Sequence, residues 1–142
     1  MAERRKFDLS LVTPDGPVFE GECEMLVVPG DAGEIGVLAR HAPLVATLRA
    51  GSTRVYLSVD NDEVREFASG PGFFKVELDR AIALVDDAVD AKEIDDDRAR
   101  TQLEEAKAEL ERIEAGDSGA DRWVVEQRIR HAENQLTVAG RG

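Results

Sequence analysis

Up to Val89 the chain is broken repeatedly by glycine and proline; from there to Gly116 neither residue occurs. Proline removes a backbone donor and clashes with a preceding helical turn, and glycine weakens helices through chain entropy, so long helices are excluded from the first part and favoured in the second. The sequence therefore divides into 1–90 and 91–142, each with its own periodicity.

In the first part, short apolar runs alternate with turn chemistry. The runs fall at 7–11, 25–28, 35–38, 44–48, 54–59, 64–68, 73–78 and 81–85, and between them lie Gly-, Pro-, Asp- and Asn-rich segments suited to turns. Many short strands at close intervals predict a β-sandwich. In the run from Phe73 to Leu78, alternation predicts Phe74, Val76 and Leu78 on the core face with Lys75 and Glu77 in water, and leaves Phe73 as an apolar residue on the wet face.

The second part is rich in Glu, Ala, Arg and Lys. Ile94, Ala99, Leu103, Ala106, Leu110 and Ile113 recur at mostly three- and four-residue steps, which predicts one amphipathic helix. Asp95, Asp96 and Asp97 suit its first turn, where carboxylates meet the positive end of the helix dipole, and Gly116 suits its end. A second stripe of Val125, Ile129, Ala132 and Leu136 begins after Asp121, a good N-cap. So short a linker predicts an antiparallel helical hairpin. Its seam holds few large side chains, so the hairpin is expected to be marginal alone, able to dock on the sandwich or to leave it.

Composition narrows the partners. Asp and Glu number 30 against 18 Lys and Arg, a net charge of −12, which repels nucleic acid and anionic lipid. One cysteine, Cys23, forms no internal disulfide, and no signal peptide or membrane-spanning run is seen; a cytoplasmic protein is expected. The two histidines, His41 and His131, lie in different parts and no nucleophile motif accompanies them, so no catalytic residue is assigned. Gly30, Gly33 and Gly36 lack the Gly-Lys-Ser/Thr ending of a phosphate loop. The aspartates at 95–97 point in different directions on a helix, and the 60–63 acidic turn lacks calcium-loop spacing, so no metal site is expected. Glu34 and His41, placed near turns held by strands, are the docking candidates; a structural hydrogen bond to nearby backbone is an equal reading for His41.

Thr13-Pro14, Gly16, Val18-Phe19 and Gly21, then Pro29-Gly30, Gly33-Glu34-Ile35-Gly36-Val37-Leu38 and His41-Ala42-Pro43-Leu44, with Gly70, Gly72-Phe73 and Glu93-Ile94-Asp95 further on, closely resemble the epsilon subunit of bacterial F-type ATP synthases. The resemblance spans nearly the whole chain. It implies a non-catalytic central-stalk subunit of a proton- or sodium-translocating enzyme at the cytoplasmic face of the membrane. It implies a β-sandwich seated beside the gamma subunit on the c-ring, with Glu34 at the c-ring contact and His41 near gamma. It further implies a hairpin that inhibits ATP hydrolysis when it extends towards the alpha and beta subunits, where Arg122, Arg128 and Arg130 would meet acidic loops of beta. A second reading pairs these arginines locally with Glu126 and Glu133.

Some epsilon subunits bind ATP as a regulatory ligand through an Ile/Leu-Asp-x-x-Arg-Ala motif, present here as Ile94, Asp95, Arg98 and Ala99. The further basic positions of that site fall on Glu105, His131 and Gln135, a departure from the pattern. No other cofactor is implied. The alternative from another class is a free-standing β-sandwich ligand-binding module that self-associates through its hairpin.

Overall fold

A computed structural model describes residues 4–140. Ten strands come first: β1 (Phe7–Thr13), β2 (Gly16–Cys23), β3 (Met25–Gly30), β4 (Gly33–Leu38), β5 (His41–Leu48), β6 (Gly51–Ser58), β7 (Glu63–Ser69), β8 (Gly72–Leu78), β9 (Arg80–Val85) and β10 (Ala88–Asp90). A 3-10 turn, Ala91–Glu93, leads into helices α1 (Asp96–Glu114) and α2 (Arg122–Ala139). The architecture is the expected one, a β-sandwich followed by an antiparallel two-helix hairpin.

One sheet runs β10-β7-β6-β3-β4 and the other β5-β8-β9-β1-β2. A single backbone pairing, Gly30 with Leu48, joins them on one side. Only β1 and β9 run parallel. Period-two alternation sends Phe7, Leu9 and Leu11 of β1, Leu26 and Val28 of β3, Val55 of β6, Phe67 of β7, and Phe74 and Val76 of β8 into one dry core. Each contributes about 1.5–3 kcal/mol on full burial. Where β2 approaches the opposite sheet, Phe19 meets Phe67 edge-on with centroids 6.5 Å apart. The Arg65 guanidinium lies 5.4 Å and 5.1 Å from those two rings and pairs with Asp90 at 3.0 Å, tying β10 to β7. At Gly72 a Cβ would lie 1.9 Å from the Leu84 carbonyl, so only glycine lets β8 and β9 close there.

Three expectations change. β2 is absent from the apolar runs because Pro17, Gly21 and the outward-facing Glu20 and Glu22 dilute it; only Phe19 and Cys23 turn fully inward. Leu78 is exposed rather than buried beside Val76, since its backbone at φ 54° turns out of the strand. Ile94 precedes α1, capping the 3-10 turn instead of joining the helical stripe.

The helix ends follow local chemistry. Asp95 Oδ1 accepts the Arg98 N–H at 3.1 Å and Asp121 Oδ1 accepts the Trp123 N–H at 2.9 Å. At the other end of α1, Gly116 sits at φ 81°; its N–H reaches the Ile113 carbonyl at 3.1 Å and that of Asp117 reaches Arg112 at 2.8 Å, a Schellman pair. The fully buried residues of the two helices are small, Ala99 and Ala106 on α1 and Val125, Ala132 and Val138 on α2. Leu103, Leu110, Ile113, Ile129 and Leu136 are half-buried around them.

Candidate docking surfaces

The sheet that ends in β2 presents an apolar band to solvent. Paired residues share a face, so Thr47, Phe73, Leu84, Val12 and Pro17 form one row across β5, β8, β9, β1 and β2. Val45, Lys75 and Ile82 stand in the next row. Val45 is 69% exposed, Phe73 62% and Leu84 48%, on a chain whose net charge is −12. Large side chains left wet in adjoining rows mark a surface made to be covered.

Glu34 lies near the start of β4 and His41 at the start of β5, beyond the turn that follows β4, and the two share no hydrogen bond or ion pair. Glu34, on the outer face of the other sheet, is half exposed and pairs with Arg54 of β6 at 3.1 Å. Burial works against the Arg54 charge, but Tyr56 and Glu34 outweigh it and hold the guanidinium above its ordinary range. His41 begins β5, with Nδ1 2.6 Å from the Ala42 carbonyl, the local backbone bond that was the equal reading. The neighbouring turn is fixed by the Arg40 N–H donating to Asp79 Oδ1 at 3.0 Å.

A third surface escapes sequence reasoning: the seat of the hairpin. Helix α2 lies on the ends of β6 and β7 and holds them through side-chain amides. Asn134 Nδ2 donates to the carbonyls of Gly51 and Ser69 at 3.1 Å and 3.0 Å. Gln127 Nε2 donates to Asp86 Oδ2 at 2.6 Å, and His131 Nε2 lies 3.2 Å from the same oxygen. His131 Nδ1 is 4.0 Å from Asp87 Oδ2. The Asp86-Asp87 corner is itself rigid: the Asp86 N–H reaches the Pro71 carbonyl at 3.0 Å and the Gly70 N–H reaches Asp87 at 2.8 Å. Burial pushes the Asp87 carboxyl above its ordinary range, and the neighbouring His131 opposes that rise. These partners lie 41 and 45 residues apart in sequence, beyond any local pattern.

Ile94, Asp95, Arg98 and Ala99 line one hollow of about 240 Å³, shared with Gln102 and Gln135. Glu105, His131 and Gln135 meet around a neighbouring cavity of about 540 Å³ that also contains Asp86, Asp87 and Arg128. Arg122 pairs with Glu126 at 2.7 Å and with Glu114 at 3.1 Å, so the local reading accounts for this arginine. Among the described residues, neither Arg128 nor Arg130 has a carboxylate partner within ion-pair distance, and Glu133 has no arginine.

An exposed band on a rigid sandwich and a hairpin held by a few polar contacts define a protein that docks in a larger assembly. The family described as "ATP synthase, Delta/Epsilon chain, beta-sandwich domain" matches residues 6–91. ATP synthase epsilon chains are similar along almost the full length: that of Halalkalibacterium halodurans is 38% identical, over 94% of this chain and 96% of the relative. That of Rubrobacter xylanophilus is 34% identical over 98% and 95%. One from Propionigenium modestum, named as sodium ion specific, is 33% identical over 94% and 93%. The fold is similar to a chain in the mitochondrial ATP synthase of Euglena gracilis, with a TM-score of 0.72 at 22% identity, covering 99% of this chain and 85% of that one. The chain belongs to the ATP synthase epsilon family and is a non-catalytic subunit of the rotary complex. Among the described residues no helix is long and apolar enough to cross a membrane.

Proposed function

We propose that this subunit couples gamma to the c-ring in the central stalk, at the cytoplasmic face of the membrane, and that its hairpin restrains ATP hydrolysis when it leaves the sandwich. The observation that carries the coupling role is the wet apolar band of Val45, Phe73 and Leu84. Gamma would cover it, with His41 at the start of the same β5 strand. Glu34, on the other sheet, would face the c-ring loops, exchanging its Arg54 partner for one across the interface. The regulatory role draws on the hairpin seat, in which side-chain amides replace a continuous apolar contact. Such a seat can be left without exposing a large dry surface. Arg128 and Arg130 would be the first to find acidic partners on beta, since Arg122 must first give up Glu126 and Glu114.

ATP hydrolysis by the cognate synthase tests this, with the intact chain and with one truncated after Asp90. A clear rise on truncation is expected. Unchanged hydrolysis, with the truncated chain still holding the rotor together, would remove the restraining role. Phe73→Asp should abolish the complex with gamma in a pull-down; full retention of gamma by that variant would refute the assignment of the band. Nucleotide binding is a second reading, favoured by the hollow that Ile94, Asp95, Arg98 and Ala99 share. A melting temperature that fails to rise with added ATP would remove it, since any ligand of the folded state stabilises by mass action.

A further inference from the structure

We propose that His131 is a proton-operated latch: its protonated ring, set between Asp86 and Asp87, holds the hairpin on the sandwich, and loss of the proton loosens that hold. Each ring nitrogen faces a carboxylate oxygen, Nε2 at 3.2 Å and Nδ1 at 4.0 Å. A protonated imidazole presents a donor to both; a neutral one carries a single N–H and must turn a lone pair towards one of the two carboxylates. Asp86 sharpens the dependence. Its Oδ1 is buried without a partner, pressed against Gly70, where a Cβ would lie 1.7 Å away. The charge is therefore offset only at Oδ2, by Gln127 and His131.

The other elements around the ring add to the acidity. Glu105 of α1 lines the same cavity, and Asp15 of the β1–β2 turn acts on Asp87. Arg128, one turn back on α2, is the only cation lining that cavity among the described residues. Three carboxylates, Asp86, Asp87 and Glu105, thus line the cavity beside the ring. Docking should therefore hold more firmly when the ring can donate from both nitrogens than when it can donate from only one. The sandwich remains folded on release because the latch lies outside its core, whereas the released hairpin, marginal alone, loses protection. The effect of the latch on hydrolysis rests on the regulatory reading above; the latch itself does not.

Amide hydrogen exchange on the full chain tests it, with α2 followed from about pH 5.5 to about pH 8.5 and corrected for intrinsic rates. Protection of α2 should fall about fivefold or more across that range, the scale of one charge-assisted contact, while strand amides hold steady. His131→Gln should flatten the profile, and His41→Gln, at the far end of the sandwich, should leave it as in the parent chain. In the parent chain the ring resonance of His131 should titrate together with the loss of α2 protection. A profile with no pH dependence, a His131→Gln profile that keeps the slope, or ring titration that does not track α2 would each overturn the latch. Hydrolysis insensitive to truncation with the profile intact would instead remove only the regulatory reading.

Discussion

Asn134→Ala probes the hairpin seat most directly. In the folded chain the Asn134 amide bridges the start of β6 and the end of β7, donating to Gly51 at 3.1 Å and Ser69 at 3.0 Å. Both bonds are half-buried and neutral, so each is worth about 0.5–1.5 kcal/mol net, and the pair about 1–3 kcal/mol. At about 1.36 kcal/mol per factor of ten, the docked-to-released ratio should fall about fivefold to about a hundredfold. Neither bond lies in the sandwich core or between α1 and α2, so the loss should be confined to docking. Native-state exchange reads both in one sample: α2 amides should lose protection by that factor while β1, β8 and β9 amides keep theirs. Equal loss of protection in hairpin and strands would mean that the two parts unfold as one unit, and unchanged α2 protection would mean that the amide bridge does not hold the hairpin. Either result would refute the separable seat.

Cys23 is fully buried, and desolvation, with the nearby Asp8 charge, pushes its thiol up to about 12; it should resist a thiol reagent at neutral pH in the native chain and react at the unfolded rate in denaturant. Burial works against the Asp90 charge, but the Lys92 N–H and the Arg65 guanidinium outweigh it and hold the carboxyl below its ordinary range. Its contribution is therefore complete above about pH 3.9, the unfolded value, and is lost as pH falls through the lower folded value. The β10–β7 pairing should open in that acid window, seen as exchange at 88–90, and Asp90→Asn should abolish the pH dependence there. Gly72→Ala places a methyl group against the Leu84 carbonyl and should destabilise the sandwich by about 1–3 kcal/mol in a denaturant melt, the range for overpacked sites; an unchanged midpoint would show that β8 and β9 can part locally.

What was legible in the sequence was local. The caps at Asp95 and Asp121 and the terminator Gly116 are each decided by residues within a few positions, and all three hold in the structure. Short apolar runs between turn residues located eight strands, and in the one run of strict alternation Phe73 stands on the wet face as its parity required. β2 failed this test because an edge strand needs only one face apolar, and Phe19 and Cys23 alone supply it. Leu78 failed because a positive φ at one residue cancels the parity of a strand. The hairpin seat was illegible for a different reason: Gln127, His131 and Asn134 read as polar residues of a surface helix until the fold brings Asp86, Gly51 and Ser69 beneath them. Likewise the helical stripe was visible, but not that Ala99, Ala106 and Ala132 would hold its centre with the leucines at its margins.

The free edges of the sandwich have a consequence for how it can be held. β2 carries Pro17, which has no N–H to offer, and outward Glu20 and Glu22 along its rim. β4 pairs only with β3, and two of its six residues are glycine; at the opposite border β10 is three residues long. Strand ends and rims of this kind discourage a foreign chain from adding itself to the sheet. At these three borders a partner must therefore grip a face, through side chains, leaving the backbone ladder untouched; a subunit held in that way can bear load without being drawn into its neighbour's fold.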